Sequence, residues 1–357
     1  MSMIMDRLRE GKFVLIAEIG VNYYDIAKKE GITPMEAAKE MIKAAKEAGI
    51  HAVKFQTYKA GTLAAKASPS YWDTTEEPTT SQYELFQKFD SFGEEEYREL
   101  CAYANDCGIE FFSTAFDFAS ADYLDDLMEV YKISSSDLSN LPFIKYQALK
   151  NKPILLSVGA SNLDEIEEAI DTIRGVNEKE IVLMHCVLEY PTPFEDANLL
   201  KILSLKRQFP ELIIGYSDHT RPTEDCDVIK TAYNLGALCV EKHFTLDKTL
   251  KGNDHYHAMD PEDAKRILKA IEKMDMLRGS GEIRCLDTEM SARQNARRSI
   301  VSAVDIAKGT VITEEMLTYK RPGSGIAPSR MPELIGKVAL TDIPEDTILQ
   351  EQMISNE

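Results

Sequence analysis

Leu212-Ile213-Ile214-Gly215-Tyr216-Ser217-Asp218-His219-Thr220 and Leu238-Cys239-Val240-Glu241-Lys242-His243-Phe244-Thr245 are the two stretches whose reading decides the fold. Each is a short apolar, β-branched run closed by a single histidine. Between them, 225–236 reads as one helix. A strand–helix–strand unit makes the two strands parallel, so both imidazoles leave the sheet at the same edge and can meet at one point. Worked outward, the same unit recurs from residue 13 to about residue 280. Strands are predicted at 13–20, 52–57, 110–116, 131–135, 153–159, 181–186, 212–217 and 238–244. Between them, 34–48 carries apolar residues at positions 35, 38, 41, 42 and 45, and 163–173 and 263–276 behave likewise. The last has an N-cap near Asp260 and Pro261 in its first turn. Eight units in series predict an α/β fold of the (β/α)8, or TIM, barrel type.

The signal changes after residue 281. From Arg297-Arg298-Ser299-Ile300-Val301 onward there is no long helix. Instead Asp305-Ile306, Thr310-Val311-Ile312 and Met316-Leu317 return 37 positions later as Asp342-Ile343, Thr347-Ile348-Leu349 and Met353-Ile354. Each copy reads as a strand, a turn, a short strand and a capped helical turn. The expected organisation is a barrel over 1–281, a polar linker over 282–295 and a small β-rich domain over 296–357.

Composition narrows the function. Of 357 residues, 44% are hydrophobic, enough for a large buried core. A net charge of −19 argues against nucleic acid, although a pocket with local positive charge could still take a small anion. The six cysteines show neither disulfide nor zinc spacing, which favours a reducing compartment. The amino terminus lacks a signal-peptide pattern and no apolar run reaches membrane-spanning length, so the expectation is a cytoplasmic protein without a membrane partner.

In a barrel, chemistry sits at the carboxyl ends of the strands. Those ends supply Glu18 and Asn22, Lys54 and Gln56, Thr114 and Phe116, then Lys132, Ser135 and Asp137. Ser157 and Gly159, His185 and Tyr190, and finally Ser217, His219 and His243 follow. A lysine inside an apolar strand is costly without an anionic partner. Lys54 and Lys132 therefore read either as interior salt bridges, with Glu18 and Asp137 as partners, or as anion ligands. Hydroxyls on Thr114, Ser135, Ser157 and Ser217 favour a site for phosphate and carboxylate. His219 and His243 on adjacent strand ends, with Asp254-His255-Tyr256-His257 following, favour a metal over two unrelated core histidines. His185, in a fully apolar strand, reads as structural or as a support behind the residues of the site.

Taken together, Ala17-Glu18-Ile19-Gly20-Val21-Asn22, Val53-Lys54-Phe55-Gln56-Thr57, Tyr131-Lys132-Ile133-Ser134-Ser135, His185-Cys186 with Tyr190-Pro191-Thr192-Pro193, Ser217-Asp218-His219-Thr220, Glu241-Lys242-His243-Phe244-Thr245 and Lys320-Arg321-Pro322-Gly323 resemble N-acetylneuraminate (sialic acid) synthases. The resemblance spans the whole chain, with a C-terminal antifreeze-like (SAF) domain accounting for the repeat. It implies condensation of phosphoenolpyruvate (PEP) with an open-chain N-acylated hexose, N-acetylmannosamine first, to give a nine-carbon 2-keto acid and phosphate. It further implies PEP contacts at Lys54, Thr114, Lys132, Ser135, Ser157 and Ser217, and a divalent Mn²⁺ or Mg²⁺ on His219 and His243. Sugar contacts are implied at Glu18, Gln56, Tyr190 and Asp254, with Phe116 grouped among them. Arg321 is implied to reach the N-acyl group in the other subunit of a domain-swapped homodimer. Glu18, Lys132 and Asp137 are the expected catalytic groups, Asp137 as the activator of water.

The sequence also departs from the family. Leu188 stands where many sialic acid synthases have asparagine. Asn22-Tyr23-Tyr24-Asp25 replaces Asn-His-x-Gly, 26–33 lengthens the first loop, and 58–92 is long. In that segment Tyr71 and Trp72 either cover the sugar or pack an ordered loop. Legionaminate or pseudaminate, made from a 2,4-diacetamido-trideoxyhexose, is therefore the alternative product. A 9-phosphate product would call for a basic cluster, for which Lys59 and Lys66 are candidates. A non-catalytic polysaccharide-binding protein is the reading from a different class.

Overall fold

The computed structural model describes residues 2–72, 74–252 and 254–355. Eight parallel strands close into a barrel: β1 (Val14–Gly20), β2 (Ala52–Thr57), β3 (Glu110–Ala115), β4 (Tyr131–Ile133), β5 (Ile154–Ser157), β6 (Ile181–Cys186), β7 (Ile213–Asp218) and β8 (Cys239–His243). Each pairs with its neighbour in sequence, and β1 closes on β8. All seven residues of β1 are buried, as expected of strands packed against helices outside and side chains inside.

The helices form where caps and periodicity coincide. Pro34–Glu47 starts on a capping box in which Thr33 and Glu36 satisfy each other's backbone N–H groups, and it buries Ala37, Ala38, Met41, Ile42 and Ala45. Leu163–Arg174 buries Ile166, Ala169, Ile170 and Ile173. Pro261–Arg278 starts on Asp260, with Asp263 closing the box. The helix between β7 and β8 is Asp227–Leu235, ended by Gly236 at φ +111°, a conformation that favours glycine.

Three local expectations change. β4 stops at Ile133, and Ser135–Asp137 is a 3-10 turn because Ser134 accepts from the Ser136 N–H and bends the chain. The lengthened first loop is largely the helix Tyr23–Glu30, ended by Gly31 in the left-handed conformation. Within 282–295, expected as a linker, most of the helix Met290–Ala296 appears; none of its residues is buried.

The chain divides into two compact units, Met1–Gly279 and Ser280–Glu357. The second has its own core, including Ile300, Ile306, Ile312, Leu317, Ile343 and Leu349. Its antiparallel pair is β9 (Ser299–Ser302) with β10 (Leu317–Lys320). The 37-residue repeat is an internal two-fold. Ile306 and Ile343 exchange both backbone hydrogen bonds at 2.8 Å. The Lys308 N–H donates to Asp342 and the Glu345 N–H to Asp305, both at 2.7 Å. Ala303 donates to the Met316 carbonyl and Leu340 to the Met353 carbonyl, the same bond shifted by one repeat.

Candidate active site

The barrel register lifts alternate residues of each strand into the interior. Glu18 lies beside His243 on one side and Lys54 on the other; Gln56 pairs with Thr114, Thr114 with Lys132, and Ser217 with Glu241. Because side chains alternate, Lys54 and Gln56 share a face, as do Glu241 and His243. Lys242 falls on the opposite face, bonded to Asp218 at 2.6 Å and to the Thr220 carbonyl at 2.5 Å.

These residues line an inner chamber of about 380 Å³. Lys54 is ion-paired with Glu18, donates to the Thr114 hydroxyl at 3.0 Å and lies 3.9 Å from Glu241. Lys132 faces Glu241 at 3.5 Å, which also accepts from the Ser217 hydroxyl at 3.1 Å. The partner of Lys132 is thus Glu241 rather than Asp137. Asp137 lies on the 3-10 turn after Ser135, outside the chamber lining, and accepts from the Asn140 amide at 3.2 Å. Ser135 accepts from the Gly159 N–H at 2.8 Å, and the buried Ser157 hydroxyl has no hydrogen-bond partner among the described residues. Phe116 and Leu188 complete the wall. A buried hydroxyl without a partner beside two ammonium groups is what an anionic ligand would satisfy.

Charge balance turns on Glu18. It accepts from the Gln56 amide at 2.9 Å, yet burial, with Glu241 adding to it, outweighs Lys54 and pushes its carboxyl up to about 7. Burial works against Glu241 as well, but Lys132 and Lys54 outweigh it and hold that carboxyl below its usual range.

A second, outer chamber of about 630 Å³ adjoins the first; Gln56, Tyr190 and His243 line both. Its wall mixes aromatic and aliphatic side chains, from Val21, Tyr58, Tyr71, Leu85, Phe86 and Phe89, with polar ones from Asn22, Asp25, Gln56 and Asp254. Tyr71 faces this space, whereas Trp72 is buried and donates to the Glu77 and Thr79 carbonyls at 3.1 Å. Trp72 thus packs an ordered loop, while Tyr71 borders the chamber. Lys59 is tied to the Asp90 and Phe92 carbonyls at 2.6 and 2.8 Å, which uses it structurally.

The imidazoles gather where the chambers meet. The rings of His219 and His243 lie 5.5 Å apart, and Tyr190 is 4.2 Å from His219. His219 donates Nδ1–H to the Val187 carbonyl at 2.7 Å, which leaves Nε2 as the nitrogen that could take a ligand's place. Ligand atoms of His243, Asp254 and His257 all lie within 4.8 Å of one another. Burial holds His243 and His257 neutral and pushes Asp254 up to about 6. Neutral nitrogens without hydrogen bonds beside a carboxylate fit a divalent metal. His185, expected to be structural, donates to the Ala197 carbonyl at 2.8 Å and stacks on Tyr216. Arg321 lies in the second unit, directly after β10.

Sequence reasoning assigned no role to Glu241 or His257. Glu241 carried a signal, two positions before His243 on a strand and hence on the same face. His257 carried one only as part of Asp254-His255-Tyr256-His257, because nothing local says which of those side chains the turn after β8 brings to His243.

Two chambers joined at the carboxyl ends of the strands, one cationic and hydroxyl-lined, the other aromatic, mark a barrel enzyme. The chain belongs to the NeuB family: residues 41–283 match that family's model, and residues 297–355 match the SAF domain. It is 38% identical to the N,N'-diacetyllegionaminic acid synthase of Campylobacter jejuni, over 95% of this chain and 99% of that one. The synthase of the same name from Legionella pneumophila is also 38% identical, over 94% and 92%. Among solved structures, the spore coat polysaccharide biosynthesis protein spsE of Bacillus subtilis superposes with a TM-score of 0.61 at 33% identity, covering 97% of this chain and 96% of that one. No helix among the described residues is long and apolar enough to cross a membrane.

Proposed function

We propose that the protein condenses PEP with an open-chain 2,4-diacetamido-trideoxyhexose to give a nine-carbon 2-keto acid of the legionaminate type and inorganic phosphate. The observation that carries this reading is the pairing of chambers. The inner one offers Lys54, Lys132 and four hydroxyls to an anion; the outer one offers aromatic and aliphatic side chains beside a few polar ones, with neither lysine nor arginine among its described lining residues. A deoxy methyl and two acetamido methyls suit that wall, while a phosphorylated acceptor would find no cation there. The identity to synthases named for N,N'-diacetyllegionaminate supports the same choice. N-acetylmannosamine, the substrate first implied by the sequence, is the second reading, favoured by the polar points Asn22, Asp25 and Gln56.

In this reading Lys54 and Lys132 grip the phosphate and carboxylate, with Thr114, Ser135, Ser157 and Ser217 donating to the remaining oxygens. Gln56, Phe116, Tyr190 and Asp254 flank the sugar, holding its aldehyde carbon against C3 of PEP so that a bimolecular step proceeds as an intramolecular one. A divalent metal, manganese or magnesium on the imidazoles of His219 and His243, would polarise the aldehyde oxygen. The new bond joins PEP C3 to the aldehyde carbon, water adds at C2, and the C2–O bond to phosphate breaks. Glu18, poised near neutrality, is the group assigned to the protons, since Asp137 stands outside the chamber. The reading includes a homodimer in which Arg321 contacts the N-acyl group of the partner's substrate; light scattering tests the dimer.

The deciding experiment offers PEP with N-acetylmannosamine, its 6-phosphate and 2,4-diacetamido-trideoxyhexoses, following phosphate release and product mass. Release with the diacetamido sugar at a kcat/KM at least tenfold above the others is expected. A preference for N-acetylmannosamine or its phosphate would replace the substrate. No release with any acceptor would leave the polysaccharide-binding alternative.

A further inference from the structure

His257 stands out among the buried side chains. It is 0% exposed, and neither ring nitrogen has a hydrogen-bond partner among the described residues. A neutral imidazole always presents one donor and one acceptor, and stranding both away from water carries a desolvation cost for each. Leucine or phenylalanine would fill this space without that cost. The surroundings show what the ring faces. Its centroid lies 4.9 Å from that of His243, whose own Nδ1 is buried, makes no hydrogen bond and stands 3.7 Å from an Asp254 carboxylate oxygen. Three imidazole nitrogens that make no hydrogen bond among the described residues thus converge with one carboxylate, while the neighbouring His219 already spends Nδ1 on the Val187 carbonyl.

We propose that His257 and Asp254 join His243 as ligands of the divalent metal, so that the loop after β8, and not only the strand ends, grips the ion. This rests on the reading of a metal-assisted condensation but adds a ligand set to it. Imidazoles with a carboxylate suit manganese and its transition-metal neighbours better than magnesium, which favours oxygen ligands and retains its waters. With these loop ligands added to the imidazoles at the strand ends, the site also holds its ion before any sugar arrives, and leaves positions open for water and substrate. Asp254 lines the sugar chamber as well, so the ion and the acceptor would share one wall.

The test is Mn²⁺ binding by isothermal titration to the full chain without substrates, comparing wild type with His257→Leu and His257→Gln. Thermal melts in EDTA run alongside. Wild type should bind one Mn²⁺ and gain melting temperature from it. In His257→Leu affinity should fall at least tenfold and the metal-dependent gain should vanish. The melt in EDTA should stay equal to wild type or rise, because two stranded nitrogens have been removed. His257→Gln, which keeps hydrogen bonding but is a poor ligand, should lose affinity similarly. If the leucine variant fails to fold, the glutamine variant alone decides. Affinity within twofold of wild type in a folded variant overturns the proposal. The two failures are separable: a wild type that binds Mn²⁺ through His257 yet releases no phosphate keeps the site and loses the synthase reading. Turnover with unchanged metal affinity in the variants does the reverse.

Discussion

Glu18 sets the electrostatic state in which the site receives its substrate. With Lys54, Lys132, Glu18 and Glu241 all charged, the cluster is neutral; with Glu18 protonated, it carries one positive charge. An anion is therefore favoured below the Glu18 midpoint of about 7 and disfavoured above it. Lys54, Gln56 and Glu241 face this carboxyl, and none leaves charge in that range. KM for PEP should rise as pH climbs through 7, while Glu18→Gln, permanently neutral, should show a flat KM. If Glu18 also moves a proton in the reaction, the same variant should lose about 10²–10⁴-fold in kcat. An unchanged KM slope in Glu18→Gln would assign the titration elsewhere. Asp137→Asn is the companion measurement: from its position outside the chamber, it should keep near-normal turnover.

At the scale of elements, the strands place the chemistry only if they pack closely. A Cβ added at Gly215 on β7 would meet the Cys239 carbonyl oxygen of β8 at 2.7 Å and Met184 of β6 at 3.2 Å. Backbone cannot give way as a flexible side chain can, so Gly215→Ala should cost about 1–3 kcal/mol in urea unfolding. It should also weaken metal binding by separating the strands that carry His219 and His243. Binding or stability equal to wild type would show the strands to be more pliable than that.

Two histidines packed against elements add a pH term. His51 accepts from the Leu15 N–H at 3.0 Å, and His185 donates to Ala197. Burial pushes both down to about 4. Between about 4 and the unfolded value of about 6.5 the unfolded chain holds more protons, so stability falls as pH drops through that window. The loss should reach roughly 2–3 kcal/mol per histidine. His51→Asn keeps an acceptor without a titration and should shed its share of the drop between pH 7 and 4.5. An undiminished drop would remove His51 from the account.

Elements were also where the sequence spoke most clearly. Helices with both a cap and a period, such as 34–47 and 261–278, were legible almost to the residue, because capping and burial are local and repetitive. β4 was overrun because the serine that bends it acts through one side-chain hydrogen bond, which periodicity does not register. In the site, Lys54 with Glu18 followed from alternation on neighbouring strands. The Lys132–Glu241 pair crosses the barrel, and no local pattern encodes a contact between residues 132 and 241. The outer chamber depends on how 58–92 folds back, a tertiary matter that composition could only suggest.

At the scale of the whole molecule, the two compact units have separate cores, and the second is about as small as a self-supporting core allows. Residues 280–357 expressed alone should still unfold cooperatively, seen as coincident loss of circular dichroism and tyrosine fluorescence. Non-coincident transitions would show that the core needs the barrel to close. The reciprocal bonds between Ile306 and Ile343, and between the Asp305 and Asp342 turns, add a condition. Neither repeat completes its own hydrogen bonding; each finishes the other. The unit amounts to a dimer of half-domains joined by a short covalent tether, which keeps the partner at millimolar effective concentration. Severed between the repeats, the halves should be dependent on reunion, and each should be able to accept a second copy of itself in place of its lost twin.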